Sequence, residues 1–206
     1  MWGFVFAELF LAAALAGLCG YLLWSRIRLT PPARWSEAQV QFLGKGQAKG
    51  DFGELLTAAI LTQQGWRQLP SKIDTHGHGI DGLFIRPHPL MGFCVLLTET
   101  KVNSSRYRRQ QLANAKLIRA LGDLYAVGAL DWKTSEAIVR ALRWRSPFAV
   151  KEFWHHSLHS GITSIEGADR VGRLKGRVRK RDTAALMESL ALMIGALDRG
   201  EHYIQS

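Results

Sequence analysis

Two acids and a lysine carry the densest chemistry in this chain. Asp81 sits in a glycine-rich string, Gly77-His-Gly-Ile-Asp-Gly82, and Glu99 and Lys101 close an apolar run that begins at Phe93. In an extended strand, residues two apart point to the same face, so Glu99 and Lys101 emerge side by side. The stretch between the acids contains Pro89-Leu-Met-Gly92, which has turn chemistry, and a hairpin there sets Asp81 beside Glu99. Two carboxylates at one point repel unless a cation separates them, and a hard divalent ion with oxygen ligands is the natural partner. Such an ion polarises a phosphate and acidifies a bound water. Lys101 beside it orients that water or stabilises charge growing on the phosphorane. Glu54, on an earlier helical stretch, adds a third carboxylate. A lone Glu-x-Lys at a strand end is most often a surface ion pair. The order Glu54, Asp81, Glu99, Lys101 is what sets this one apart.

The elements that must hold these groups follow from periodicity. Residues 51–64 read as a helix with an apolar stripe of Phe52, Leu55, Leu56, Ala59 and Ile60, ended by Gly65. Residues 66–69 read as a short strand and 71–79 as a polar loop. Residues 82–86 read as a strand stopped by Pro87 and Pro89. Residues 93–102 are apolar at both parities, as in a strand covered on both faces. Helices are expected over 106–127, with Leu112, Ala115, Ile118 (or Leu117) and Leu121 on one side, and over 133–144, broken by Pro147. Strands are expected at 149–156 and 162–165. A last helix over 183–197 carries Leu186, Leu190, Met193 and Leu197. The pattern is α/β, a mixed sheet flanked by helices.

The chain has 206 residues and a formal net charge of +10, which favours polyanions, either nucleic acid or an anionic membrane surface. Residues 2–24 form an apolar run long enough to span a bilayer as one helix, with Glu8 as its single charge. Trp2, Tyr21 and Trp24 lie near its ends, and Arg26, Arg28 and Arg34 follow it. No Lys or Arg precedes it, so the positive-inside rule sets the N-terminus outside and the body in the cytoplasm, a single-pass inner-membrane protein. A cleavable signal peptide fits less well, because a basic leader is missing and the apolar stretch is long. Residues 25–48 read as linker and helical lead-in, with Thr30-Pro31-Pro32 as a stiff link, and 49–200 as the catalytic domain with a basic C-terminal part. Cys19 and Cys94 make no disulfide framework.

Several further groups have competing readings. His76, His78 and His88 with Cys94 invite a zinc site, but the strand pattern turns Cys94 into the core, away from the loop. His155, His156 and His159 have no carboxylate partners at motif spacing and read as surface or strand residues. Arg106, Arg108, Arg109 and Gln110 directly follow the Glu-x-Lys. At a helix start they meet a phosphate backbone or form a solvated face. The run Arg170, Arg173, Lys175, Arg177, Arg179, Lys180, Arg181 suits nucleic acid, anionic lipid or plain solvent, and the sequence leaves these open.

Taken together, Gly50-Asp-Phe-Gly-Glu54, Gly79-Ile-Asp-Gly82 and Glu99-Thr-Lys101 resemble the motifs of the PD-(D/E)XK nuclease superfamily. The nearest resemblance is to bacterial toxin-type nuclease domains, through Gly77-His-Gly-Ile-Asp-Gly82, Asn103-Ser104-Ser105 and Arg109-Gln110. It covers residues 50–111. Ile80 stands where the family's motif has Pro, and the chain is short with its own apolar segment, unlike toxin domains that end long secreted proteins. The resemblance implies a restriction-endonuclease-like fold and magnesium, or manganese, held by Asp81 and Glu99. It implies Lys101 assisting water, Glu54 supporting metal or water, and Gln110 positioning substrate, with DNA ahead of RNA. Two other functions remain in view. One is a non-catalytic nucleic-acid binder or membrane scaffold on the same fold. The other is a translocated antibacterial nuclease, whose partner is an immunity protein. Homo-oligomerisation fits any of the three.

Overall fold

The computed structural model describes residues 47–73, 79–89, 92–144 and 146–198. The expected anchor over 2–24, all but the end of the linker over 25–48, and His76 and His78 lie outside them. Among the described residues, no helix is long and apolar enough to cross a membrane.

The apolar run at 93–97 becomes the inside of the longest strand. In chain order the strands are β1 (Arg67–Leu69), β2 (Gly82–His88), β3 (Gly92–Val102), β4 (Ala149–Ser157), β5 (Ile162–Ala168) and β6 (Leu174–Asp182). They form one six-stranded sheet in that same order. The β3–β4 pair is parallel and every other pair antiparallel. A parallel pair needs a crossover, and helices α2 (Asn114–Ala126) and α3 (Trp132–Arg143) supply it. Helices α1 (Gln47–Gln63) and α4 (Ala184–Asp198) complete the described elements. The α/β reading of a mixed sheet flanked by helices thus holds.

Both faces of β3 are buried, as its double parity predicts. Leu96 packs with Phe84, Trp154 and Ile165 against Phe52, Leu56 and Ile60 of α1 and Met187 and Leu190 of α4. Val95 and Leu97 pack with Leu83 against Leu117, Leu121 and Leu124 of α2 and Ile138 and Leu142 of α3. Within the expected α1 stripe, Leu55 is instead 41% exposed, and Leu61 is buried in its place. In α4 the expected Met193 is 44% exposed, and the buried positions are Ala184, Met187, Leu190 and Ala191.

Three segments differ from expectation for identifiable reasons. β2 runs through Pro87 to His88, because β1 pairs only with residues 83–85 and the missing Pro N–H breaks no bond on that side. The expected helix over 106–127 divides into a 3-10 turn (Arg109–Leu112), an extended Ala113 and then α2. The basic run becomes β6, an edge strand exposed along almost its whole length. Repeated cations on an edge strand oppose pairing with another chain, but they also hide the strand from any search for alternating apolar residues.

His156, expected as a surface or strand residue, lies in β4 and is fully buried. Its ring joins a chain of hydroxyls across the sheet. Thr100 Oγ1 lies 3.2 Å from Thr57 Oγ1, which lies 2.8 Å from His156 Nε2. His156 Nδ1 lies 2.7 Å from Thr163 Oγ1, which lies 2.8 Å from Thr183 Oγ1. Thr183 donates to the Gly161 carbonyl at 3.1 Å. Each hydroxyl has one proton to give, so all these bonds are satisfied together when Nδ1 carries the proton and Nε2 accepts from Thr57. Burial pushes the His156 pKa down to about 3, with the neighbouring His155 adding to the shift. An unfolded histidine titrates near 6.5, so below that pH the unfolded chain binds the extra proton. The stability due to neutral His156 is complete above about pH 6.5 and falls as pH drops from there toward 3. Urea midpoints measured across pH 3 to 8 will fall in that window in the wild type, and less steeply in His156→Gln.

Candidate active site

β3 outruns β2, since Gly82 pairs with Thr98 and, among the described residues, 99–102 have no strand partner on that side. A notch opens there, and the sequence fills it with charge. Asp81, one residue before β2, accepts the Thr100 backbone N–H on Oδ2 at 2.9 Å, so its carboxylate takes the place of the missing strand. Lys101 Nζ donates to Glu99, lies 3.7 Å from Asp81 Oδ2, and donates to the Thr100 carbonyl at 3.1 Å. Glu54 arrives from α1. Ion pairs through Lys72 and Lys101 thus link Glu54 to Asp81 and Asp81 to Glu99.

Glycines make these approaches achievable. A Cβ on Gly53 would stand 2.4 Å from Val102 Cγ2 and 3.2 Å from Thr100 Cγ2, so its absence lets α1 lie on β3 and present Glu54. Gly79 has φ +140° and a Cβ there would meet the Ser71 carbonyl oxygen at 2.2 Å. It forms a bridge to Lys72, with the Ile80 N–H donating to Ser71 at 2.8 Å. That bridge fixes a group with no place in the sequence motifs. Lys72 Nζ lies 2.8 Å from Glu54 Oε1 and 3.4 Å from Asp81 Oδ1. A lysine in a polar loop has no spacing signal. Its importance follows from the antiparallel return of the loop onto itself.

Burial pushes the Glu99 pKa up to about 7, with the Asp81 charge adding to the rise and Lys101 opposing it. Burial also raises Glu54, with Lys72 pulling the other way. The donors facing the notch are Glu54, Asp81, Glu99 and the Thr100 carbonyl, an all-oxygen set suited to a hard cation. Among the described residues, no three His, Cys, Asp or Glu side chains converge as a ready metal cage. Glu54 and Asp81 meet through Lys72, and Asp81 and Glu99 through Lys101. Positive charge already stands between the acids, which is the arrangement a metal ion would serve. Replacing Lys72 by Met should lower the melting temperature in EDTA, by about 1 kcal/mol of stability or less for so accessible a pair. It should also enlarge the rise in melting temperature on adding magnesium, and thermal melts with and without the ion check this.

The notch opens into a cleft of about 960 Å³ lined by Lys49, Asp51, Asn103, Ser104, Ser105 and His159 as well as Glu54, Asp81 and Lys101, while Glu99 is buried against Lys101 and does not line it. Asn103, at φ +52°, accepts the Leu158 N–H on its side chain at 2.9 Å and ties this rim to the end of β4. Arg106, Arg108, Arg109 and Gln110 are exposed. They are not at the start of a long helix, as expected, because α2 begins only at Asn114. Arg109 Nε instead donates to the Val171 carbonyl at 3.4 Å, which ties this segment to the loop before β6. The rings of His88 and Phe148 lie 4.5 Å apart.

No protein-family model, curated protein or solved structure matches this chain.

Proposed function

We propose that this chain is a metal-dependent nuclease with a restriction-endonuclease-like catalytic domain, held at the cytoplasmic face of the inner membrane by residues 2–24. The observation that carries the reading is the notch itself, where Asp81, Glu99 and Lys101 meet at the open end of β3 with Glu54 beside them. Asp81, Glu99 and the Thr100 carbonyl are the groups suited to hold magnesium or manganese. When bound, such an ion polarises a phosphate and acidifies water. The chain's own residues do the rest. Lys101 keeps a proton at Nζ and presents it to the water or to a phosphate oxygen. Glu54 supports the ion or accepts from the water. Lys72, freed from the acids, can meet phosphate. Gln110 and the exposed arginines position the backbone of the substrate, with DNA ahead of RNA on the motif resemblance.

The full chain in detergent, given plasmid, linear duplex, single-stranded DNA and RNA, should cleave at least one of them with magnesium and none with EDTA. Lys101→Ala should remove the cleavage. Turnover that is independent of metal, or unchanged by Lys101→Ala, would refute the reading.

One observation favours a second reading. Each of the three acids already has a lysine partner, Lys72 or Lys101, without a metal. A non-catalytic nucleic-acid binder on this fold predicts binding that survives loss of Asp81 and Glu99, with no turnover on any substrate.

A further inference from the structure

The two faces of the sheet are treated differently beyond β3. On one face Trp154, His156, Thr163 and Ile165 are buried beneath the helices. On the other face Phe153, His155, Ser164 and Glu166 are only half-buried and Lys180 is exposed. Strand register places these in rows. Lys101 is opposite His155, His155 opposite Ser164, and Ser164 opposite Lys180. Glu99 is opposite Phe153, Phe153 opposite Glu166, and Glu166 opposite Val178. Directly opposed residues share a face, so this open surface starts at the acids and runs to the outer edge of the sheet. At about 4.8 Å per strand it spans about 14 Å.

Its border is aromatic and cationic. Tyr107 packs over Phe153, with ring centroids 4.7 Å apart, and donates its hydroxyl to the Gly172 carbonyl at 2.7 Å. That bond holds the loop bearing Arg170 and Arg173 beside the segment bearing Arg106 and Arg109. The acids on this face are engaged: Glu99 with Lys101, Glu166 with the Gly176 N–H, and Asp182 with the Ala184 N–H.

We propose that a single-stranded nucleic-acid segment lies along this face, from the notch across β4 and β5 to Lys180. Its bases would stack on Tyr107, Phe153 and His155, and its phosphates would meet the flanking arginines and Lys180. Cationic walls with aromatic rings on a sheet are the usual means of holding single strands, since every base offers a flat face. The continuity of the rows with Lys101 is what favours nucleic acid over lipid for the charges on β6. A membrane-binding strand has no need to share a face with the acids. The inference rests on the proposed nuclease reading for its direction, but its test does not require turnover.

The full chain carrying Asp81→Asn, in nanodiscs of neutral lipid, would be titrated with a labelled oligonucleotide and with the matching duplex. Three further changes are compared. Lys180→Glu lies on the open face, Phe153→Leu removes a ring there, and Arg181→Glu, opposite the buried Thr163, makes the same charge change on the other face of β6. Lys180→Glu should weaken single-strand binding at least about tenfold and flatten the slope of its salt dependence by roughly 0.7 for each phosphate no longer neutralised. Phe153→Leu should weaken the single strand more than the duplex, and Arg181→Glu should do neither. Equal losses from Lys180→Glu and Arg181→Glu, or unchanged single-strand binding in both open-face variants, would overturn the proposal. So would anionic vesicles that bind through Lys180 while the oligonucleotide does not. Binding along this face, with no cleavage by the wild-type chain given magnesium, keeps the inference and ends the nuclease reading. Cleavage indifferent to Lys180 and Phe153 does the reverse.

Discussion

Asp81→Asn should abolish metal-dependent cleavage while leaving the fold intact. The Asn side chain keeps an oxygen that can accept the Thr100 N–H, so the end of β3 stays tied to the turn before β2. What disappears is the charge shared by Lys72 and Lys101 and needed by a cation. The loss should exceed the roughly 10- to 100-fold that follows when groups merely supporting metal ligands are changed. A second readout separates electrostatics from folding damage. Asp81 is one of the causes that hold the Glu99 pKa near 7, so in Asp81→Asn the Glu99 carboxyl should titrate lower. Carboxyl NMR titration checks this beside the cleavage assay, and circular dichroism checks the fold.

Gly53→Val should cost both stability and activity, whereas Gly50→Ala should cost neither. Both glycines lie in α1 and both belong to the Gly-Asp-Phe-Gly-Glu string. Around Gly50 nothing stands within 4 Å of an added Cβ. Alanine there gains about 1 kcal/mol of helix propensity. At Gly53 the new Cβ meets Val102 at 2.4 Å and Thr100 at 3.2 Å, with the buried His156 ring at 3.6 Å. Overpacking of this kind costs about 1–3 kcal/mol. For a chain this long, that is a fall of several degrees in melting temperature, at about 2–4 °C per kcal/mol. The strain also acts on function, because relief requires α1 to lift from β3 and carry Glu54 away from Asp81. Thermal melts and cleavage rates on both variants test the contrast.

The pair also shows what a motif conceals. The sequence presents two equivalent glycines, and only three-dimensional contact reveals that one is required. Other parts of the site were legible because local rules specify them. The turn chemistry between Asp81 and Glu99 and the period-2 relation of Glu99 and Lys101 place those groups correctly. Lys72 was not legible, because a lone lysine in a polar loop gains meaning only when Gly79 folds back to pair with it. The burial of His156 was not legible because one residue of parity separates it from the half-buried His155, and parity becomes burial only once the helices choose a face. β6 was missed because its cations suppress the apolar alternation by which strands are read. The break at Ala113 has a tertiary cause as well: its residue bridges to Val171, across the loop before β6.

Manganese binding to the full chain, followed by electron paramagnetic resonance, probes the proposed divalent-cation site at Asp81 and Glu99 without any substrate. Saturable binding that magnesium displaces, and that Asp81→Asn and Glu99→Gln each abolish, is the expected result. Absent binding in the wild type, or binding unchanged in both variants, would rule the site out.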